Sequence, residues 1–247
     1  MDEINNKSEI LKRKSFIKNI YSKNWVKKRK QYKFSNYDKS LIDLILIKRK
    51  NYKLLEVALG DGYPFSSFFV NKGHDVYGID ISDFLVSKVK EKLPSIKVYK
   101  CDSEDLLFDN NKFDITFCFR STWYFTDLIK SISEMLRVTK KNGEIFFDIQ
   151  NKNNVLHKKL IKKRKSVLDQ NFFLFSIKKF FFNIIKIILS PFKFYNIDWN
   201  FDRSIIIENP TDPLLIIQKF KNKNIKIYGV NWNKKKALKK LNIDDSL

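Results

Sequence analysis

Cysteine and long apolar runs are both scarce in this 247-residue sequence, and each shortage excludes a class of protein. Cys101 and Cys118 are too few for a disulfide framework, and no Cys-x-x-Cys or His-rich spacing of metal ligands occurs. No run of 18 residues is free of charge, and the first residues lack the apolar core of a signal peptide. We therefore expect a cytoplasmic protein with reduced thiols and no bound metal, large enough for one domain with an appended lid.

Arginine and alanine are scarce as well: 7 of the 49 basic residues are Arg, and Ala occurs twice. This skew is typical of an AT-rich coding sequence, so the formal charge of +22 does not by itself indicate a nucleic-acid or membrane partner. Residues 1–50 hold 15 basic and 5 acidic side chains (+10), residues 51–150 hold 13 and 15 (−2), and residues 151–247 hold 21 and 7 (+14). The basic excess lies on the two flanks.

The centre of the chain alternates apolar runs of strand length with helical segments. The predicted strands are LLEVAL (54–59), DVYGIDI (75–81), IKVYKCD (96–102), FDITFCF (113–119) and EIFFDI (144–149), and the predicted helices are 65–72, 83–92 and 126–139. Nearly continuous apolar strands separated by helices predict a mostly parallel sheet covered on both faces. The expected fold is a doubly wound α/β domain, which binds ligands beyond the carboxyl ends of its strands.

The flanks are expected to add helices to this domain. We predict four parts: basic N-terminal helices (1–50), the α/β core (51–150), a helical lid (151–212), and a C-terminal helix, strand and basic tail (213–247) that completes the core. Asp212 or Thr211 is expected to cap the helix that begins near 213, and the end of the tail is expected to be loosely docked.

The lid contains an amphipathic stretch, residues 171–194, with Lys, Asn and Ser on one face and Phe and Ile on the other. Three interpretations stay open. The stretch packs its apolar face on the domain, it lies on an anionic membrane surface, or it lines a hydrophobic acceptor tunnel.

Two glycines and one carboxylate stand at the ends of the first two predicted strands. Gly60 and Gly62 follow the first strand, where a side chain would block close approach of a ligand to the backbone. Asp80 ends the second strand, where a carboxylate can accept both hydroxyl protons of a ribose. Phe65 stands where Gly-x-Gly-x-x-Gly requires glycine, and no phosphate-binding Gly-x-x-x-x-Gly-Lys loop occurs. A nucleoside without a pyrophosphate is the favoured ligand.

The stretch Glu56-Val57-Ala58-Leu59-Gly60-Asp61-Gly62 resembles the acidic-x-Gly-x-Gly-x-Gly signature of class I S-adenosylmethionine-dependent methyltransferases, and further motifs extend the resemblance over about 36–150. The resemblance implies S-adenosylmethionine as cofactor. It assigns cofactor contacts to Glu56, Ala58, Gly60 and Gly62 (methionine and ribose), Asp80 and Ile81 (ribose and adenine), Asp102 and Ser103 (adenine), and Phe119 at the exit of the fourth strand. Ala58 departs from the family, which usually has glycine there.

The acceptor side is predicted from the segment that leaves the fourth strand. Arg120 is a candidate to bind an anionic acceptor, and Trp123 and Tyr124 are candidates to exclude solvent, although the same aromatics would also suit a loop leading into a helix. The candidate bases are Asp148, His157 and Tyr124. The Asn-Pro-Pro-Tyr sequence of methyltransferases that act on exocyclic amino groups is absent.

The resemblance and the charge pattern together leave three hypotheses for function. The first is a methyltransferase that methylates an oxygen of a small molecule or of a glycan- or lipid-linked precursor. The second is an RNA methyltransferase that uses the basic flanks, for which the low Arg content is unfavourable. The third is a catalytically inactive, membrane-associated protein with the same fold. The expected location is the cytoplasm; under the membrane interpretation of 171–194, this stretch would make peripheral contact with the inner face of the membrane.

Overall fold

The computed structural model of the chain describes residues 34–45, 51–155, 210–221, 228–233 and 236–242, together with positions 10, 11, 14, 15, 17 and 18. The chain divides into two compact units, residues 1–150 with 207–247 and residues 151–206. Every site discussed below belongs to the first unit. His157 and the stretch 171–194 lie outside the described residues, so their roles stay predictions, as do the boundaries of the four parts.

Five parallel strands form the central sheet of the first unit. They are β1 (Lys53–Val57), β2 (Asp75–Asp80), β3 (Lys97–Lys100), β4 (Phe113–Cys118) and β5 (Thr139–Phe147), in the order β3-β2-β1-β4-β5. The chain builds outward from β1 to β3 and then returns to the other side of β1 with β4. This reversal opens a crevice between the carboxyl ends of β1 and β4, where doubly wound sheets bind ligands. The predicted fold class is confirmed.

Alternate residues of the central strands fill two separate cores, one on each face of the sheet. On β1, Leu54 belongs to one core with Phe69 and Phe117, and Leu55 belongs to the other with Phe113. All four of the strand side chains are fully buried. Because both faces are buried, these strands have continuous apolar sequences. The same packing fixes the position of the strand ends that form the crevice.

Short polar side chains start most of the described helices. The helices are α1 (Asn36–Leu44), α2 (Phe65–Asn71), α3 (Asp83–Lys92), α4 (Leu128–Val138) and α5 (Pro213–Phe220). Ser35 and Asp38 form a reciprocal capping box at α1, and Ser82, Asp127 and Asp212 accept a backbone N–H at the starts of α3, α4 and α5. Of the two residues predicted to cap α5, Asp212 is the one whose side chain accepts a backbone N–H, that of Leu214. Thr122–Tyr124 form a short 3-10 turn.

The C-terminal half differs from the sequence prediction in two places. Residue 139, predicted to end a helix, and residues 140–143, which lie between that helix and the next predicted strand, belong to β5. This strand carries a bulge, since Phe113 pairs with Thr139 while Ile115 pairs with Glu144. Residues 236–242 form strand β7 (Lys236–Asn242), which the sequence analysis did not predict. It pairs antiparallel with β6 (Tyr228–Asn233) in a separate two-stranded sheet. Backbone hydrogen bonds to β6 provide an order that the Lys-rich sequence of the tail does not indicate.

None of the helices in the described ranges is long and apolar enough to cross a bilayer.

Candidate functional site

A cleft of about 220 Å³ lies at the carboxyl ends of β1, β2, β3 and β4. Ten of the residues predicted for the site line it: Glu56, Ala58, Gly60, Asp80, Ile81, Asp102, Ser103, Phe119, Arg120 and Tyr124. These residues come from the ends of four strands, so the fold brings together side chains that are far apart in sequence. Three other predicted residues, Gly62, Trp123 and Asp148, are not in the lining.

The floor of the cleft is a turn in which three residues at alternate positions have left-handed backbone angles. The φ angles are +58° at Ala58, +63° at Gly60 and +78° at Gly62. At Gly62 an added Cβ would meet Leu93 Cδ1 at 2.8 Å on the side of α3, so this glycine permits packing beneath the turn. The family's preference for glycine at position 58 is therefore a matter of backbone conformation as well as clearance.

The strained angle at Ala58 predicts that glycine at this position stabilises the protein. A left-handed conformation costs an L-residue about 1–2 kcal/mol, and the greater freedom of an unfolded glycine offsets part of that gain. We expect Ala58→Gly to raise the free energy of unfolding by roughly 0.5–1 kcal/mol, measured by urea denaturation. An unchanged or lower value would contradict the role assigned to the φ angle.

Asp80 is held at the end of β2 by two backbone N–H groups. Gly60 N donates to its Oδ2 at 3.0 Å, and Ser82 N donates to its Oδ1 at 2.8 Å. Burial raises the pKa of Asp80 to about 6, although the hydrogen bonds from Ser82 and Gly60 act in the opposite direction. Each oxygen retains a lone pair for a further donor, and the carboxylate lines the cleft beside the glycine turn.

Glu56 lines the cleft from the end of β1, just before the turn. Its carboxylate is 3% exposed and accepts hydrogen bonds from the backbone N–H of Ser66 at 3.0 Å and from the Ser66 hydroxyl. Ser66 lies in the first turn of α2, so the helix fixes the position of the acid. The turn thus stands between two anchored carboxylates, Glu56 and Asp80.

A cluster of charges lies at the end of β3. The Lys14 Nζ is 2.7 Å from Asp102 Oδ2 and 2.8 Å from Glu104 Oε2, and all three residues line the cleft. Glu104 also accepts hydrogen bonds from Thr126 Oγ1 and, at 2.9 Å, from the backbone N–H of Asp127. Burial lowers the pKa of Lys14, but hydrogen bonds to the two carboxylates raise it by more, so it lies above its ordinary value.

Four residues are in contact at the exit of β4, and we call them the Arg120 cluster: Tyr37, Asp38, Arg120 and Asp148. Arg120 has a φ of +61°, and its backbone N–H donates to Asp148 Oδ1 at 2.7 Å. Its guanidinium lies 2.6 Å from Asp38 Oδ1 and 5.3 Å from the centre of the Tyr37 ring. The Tyr37 hydroxyl donates to Asp148 Oδ2 at 3.0 Å. The Arg120 cluster joins α1 to the ends of β4 and β5.

These contacts bear on two predictions. Asp148 does not line the cleft, and its two oxygens hold the Arg120 backbone and the Tyr37 hydroxyl, an arrangement suited to fixing the loop. The positive charge of Arg120 lies against the fully buried Asp38, which reduces its capacity to bind an anionic acceptor. Among the described candidate bases, Tyr124 lines the cleft.

The position of Asp148 predicts a pH-dependent contribution to stability. Burial raises its pKa from 3.8 to about 6, against the hydrogen bonds from Arg120 and Tyr37, so the folded protein binds this proton more tightly than the unfolded chain. Stability from this group is therefore greatest at low pH and is lost as the pH rises from about 4 to 6. Each pKa unit corresponds to about 1.4 kcal/mol. As the pH rises from about 4 to 7.5, the free energy of unfolding of Asp148→Asn, measured by urea denaturation, should increase by roughly 2–3 kcal/mol relative to that of the wild type. A difference between the two proteins that does not change with pH would contradict the assignment.

Sequence analysis missed several residues of the cleft. Among them are Lys14, Ile17, Tyr63, Phe65, Glu104 and Thr126. Glu104 and Thr126 are near predicted residues and would have been found by asking which neighbours share a strand end. Lys14 is one lysine among many in a basic flank, and its spacing gives no signal. In the part of the chain that the structure describes, no group of three metal-ligating side chains occurs.

The donors and acceptors of the cleft fit S-adenosylmethionine. Asp80 is a buried, anchored acceptor beside a bare backbone turn, which suits the two hydroxyls of a ribose. Glu56 lines the same cleft from the end of β1, and its carboxylate suits the ammonium of the amino-acid part. Four carboxylates line the cleft, and the two basic side chains of the described lining, Lys14 and Arg120, are each paired with an acid. Such a cleft favours a cationic ligand.

Fold and cleft together define a doubly wound nucleoside-binding domain. Residues 55–147 match the sequence family described as a methyltransferase domain. This region is thus a class I, S-adenosylmethionine-dependent methyltransferase domain, as the motif around Gly60 predicts.

Individual relatives match over only part of their length. The ubiquinone biosynthesis O-methyltransferase of Pelagibacter ubique is 32% identical over 126 residues, which cover 50% of this chain and 49% of the relative. The malonyl-[acyl-carrier protein] O-methyltransferase of Hamiltonella defensa is 32% identical over 94 residues, covering 38% and 36%. A crystal structure of a SAM-dependent methyltransferase from Aquifex aeolicus superimposes with a TM-score of 0.40 at 22% identity, covering 47% of this chain and 66% of that one. The chain thus spans about half or less of the length of these curated relatives.

Proposed function

We propose that the protein transfers the methyl group of S-adenosylmethionine to an oxygen atom of a small-molecule acceptor. One observation carries this proposal: a single cleft runs from the nucleoside-binding acids Asp80 and Asp102 to Arg120 and Tyr124 at the exit of β4. Cofactor and acceptor would thus meet in one cleft. Methyl transfer from a sulfonium is an in-line displacement, so the protein chiefly holds the two reactants in line and excludes water.

The residues at the exit of β4 have distinct tasks in this proposal. Phe119 and Tyr124 line the cleft and shield the reacting atoms from solvent. The Arg120 cluster fixes the loop that carries them, because Asp148 holds the backbone of Arg120 and Asp38 holds its side chain. Tyr124, which lines the cleft, is the proposed proton relay: its hydroxyl oxygen takes the proton of a hydroxyl acceptor while its own proton passes to water. S-adenosylmethionine supplies the electrophilic methyl group, and the chain needs no covalent intermediate.

Two features favour a small molecule over RNA as the acceptor. Both named relatives are O-methyltransferases whose names give an acceptor other than RNA: one belongs to ubiquinone biosynthesis, and the other acts on malonyl-[acyl-carrier protein]. The described lining of the cleft holds four carboxylates, and both of its basic side chains are paired with acids. Such a lining repels phosphate groups. A glycan- or lipid-linked acceptor, a cytoplasmic location and membrane contact through 171–194 stay predictions from the sequence.

The proposal is tested by following one labelled methyl group. The protein and an Asp80→Ala variant are each incubated with methyl-labelled S-adenosylmethionine and an extract of the cells that produce the protein. RNA, protein, lipid, glycan and small-molecule fractions are then separated. We expect label in the small-molecule fraction with the wild type alone. Label in RNA would contradict the proposed acceptor, and the absence of label despite measurable cofactor binding would favour the inactive alternative.

A further inference from the structure

We propose that the described positions near the N-terminus (10, 11, 14, 15, 17 and 18), which we call the N-terminal segment, are part of the cofactor site, with Lys14 as a positioning residue that holds Asp102 and closes the nucleoside end of the cleft. This inference rests on the proposed function. Its main support is the pair of contacts from Lys14 Nζ to Asp102 at 2.7 Å and to Glu104 at 2.8 Å. The two carboxylates are 88 and 90 residues away in sequence, so the contact is a feature of the tertiary fold.

One face of the segment spans the strand ends that carry the nucleoside-binding acids. Lys14, Ile17 and Lys18 are spaced i, i+3 and i+4, so they lie on the same side of a helix. Ile17 is 8% exposed and lines the cleft, and Lys18 forms an ion pair with Asp83 at the start of α3. The segment therefore contacts the chain just after β2 and just after β3.

The contacts fix the orientation of the Asp102 carboxylate. Its Oδ2 faces Lys14, and its Oδ1 accepts the backbone N–H of Glu104 at 3.0 Å. Glu104 is itself held by Thr126 and the Asp127 N–H, so Lys14 bridges one anchored acid and one acid predicted to recognise adenine. The Lys14 side chain is 22% exposed and that of Asp102 is 32% exposed. At this partial burial, charge-assisted hydrogen bonds keep much of their strength.

The inference predicts that Lys14 controls how long a nucleoside ligand stays bound. Removing its charge frees the Asp102 carboxylate to rotate and detaches one side of the segment. We expect Lys14→Met to increase the dissociation rate of S-adenosylhomocysteine about tenfold, the size expected for losing one charge-assisted hydrogen bond.

The first unit offers a matched control that removes the same charge away from the cleft. Lys88 lies on α3, where it forms a solvent-exposed ion pair with Glu91, and neither residue lines the cleft. Exposed ion pairs of this kind contribute little. Lys88→Met should therefore keep the dissociation rate within about twofold of the wild type.

Stopped-flow fluorescence of the full chain gives the dissociation rates, and hydrogen exchange of the peptide spanning residues 10–18 gives a second readout. Adding S-adenosylhomocysteine should slow exchange of this peptide in the wild type and in Lys88→Met, and should do so much less in Lys14→Met. Lys14→Arg, which retains the charge, should restore both properties. Lys14→Gln repeats the test if the Met variant fails to fold.

The outcomes separate this inference from the proposed function. Equal dissociation rates for Lys14→Met and Lys88→Met, with a wild type that binds the ligand, would overturn the inference and leave the proposed function standing. A peptide whose exchange does not respond to the ligand in the wild type would overturn it as well. A wild type that binds neither S-adenosylmethionine nor S-adenosylhomocysteine would overturn both.

Discussion

Replacing Asp80 by alanine should weaken the binding of S-adenosylmethionine by about 100-fold or more. Each hydrogen bond to a charged partner contributes about 1.5–3 kcal/mol, and the carboxylate is positioned to accept two from a ribose. Losing both at the lower value corresponds to about 3 kcal/mol, or a factor of about 100. The substitution also leaves the backbone N–H groups of Gly60 and Ser82 without their acceptor, which loosens the turn below the ligand.

Isothermal titration calorimetry measures this effect, and the same strand offers a matched control. Asp75 lies at the opposite end of β2, where it pairs with Lys97 on the surface. Asp75→Ala should therefore leave the affinity within about twofold of the wild type, since exposed ion pairs contribute little. Asp80→Asn, which keeps one acceptor oxygen, should fall between the two. An Asp80→Ala variant that binds as tightly as Asp75→Ala would remove Asp80 from the cofactor site.

Replacing Arg120 by alanine should destabilise the fold by about 3 kcal/mol, because it leaves a buried carboxylate without its counter-charge. Asp38 is fully buried, and the Arg120 side chain is 27% exposed, which places the expected value at the lower end of the range for broken buried pairs. The variant also loses the contact between the guanidinium and the Tyr37 ring. Both losses fall on the loop that forms the acceptor side of the cleft.

A double-mutant cycle isolates the ion pair from the other effects of this substitution. If the unpaired Asp38 carboxylate is the main cause, Asp38→Asn introduced into the Arg120→Ala chain should recover about 1–2 kcal/mol of unfolding free energy. Urea denaturation of the four proteins at neutral pH gives the coupling. Strictly additive effects would show that the pair at 2.6 Å contributes nothing to stability beyond its separate members.

The cofactor half of the site could be predicted because its signals are local in the sequence. Gly60 follows one apolar run, and Asp80 ends the next. Parallel pairing then brings the two together, as the hydrogen bond between them shows. The fold was predictable for the same reason, since strands buried on both faces leave continuous apolar runs.

The rest of the site depends on contacts between distant segments, which one sequence does not encode in a readable form. Lys14 reaches Asp102 across 88 residues, and Asp38 meets Arg120 from a different helix. Asp148 was predicted as a base from its position near the end of the fifth predicted strand, but the direction of its side chain is set by Tyr37 and Arg120. Whether a strand-end side chain faces the cleft or the neighbouring loop is decided by packing.

The two thiols of the chain differ sharply in environment, and the difference has a practical use. Cys118 is fully buried in β4, and burial raises the pKa of its thiol well above the ordinary value. Cys101 is partly exposed and lines the cleft beside Asp102. Partial burial and the carboxylates of Asp102 and Asp105 raise the pKa of its thiol as well. Since alkylating reagents require an accessible thiolate, labelling at alkaline pH should modify the accessible Cys101 and spare the buried Cys118 in the native protein. A fluorophore attached to Cys101 would give a single-site optical reporter at the nucleoside end of the cleft, without removal of any residue.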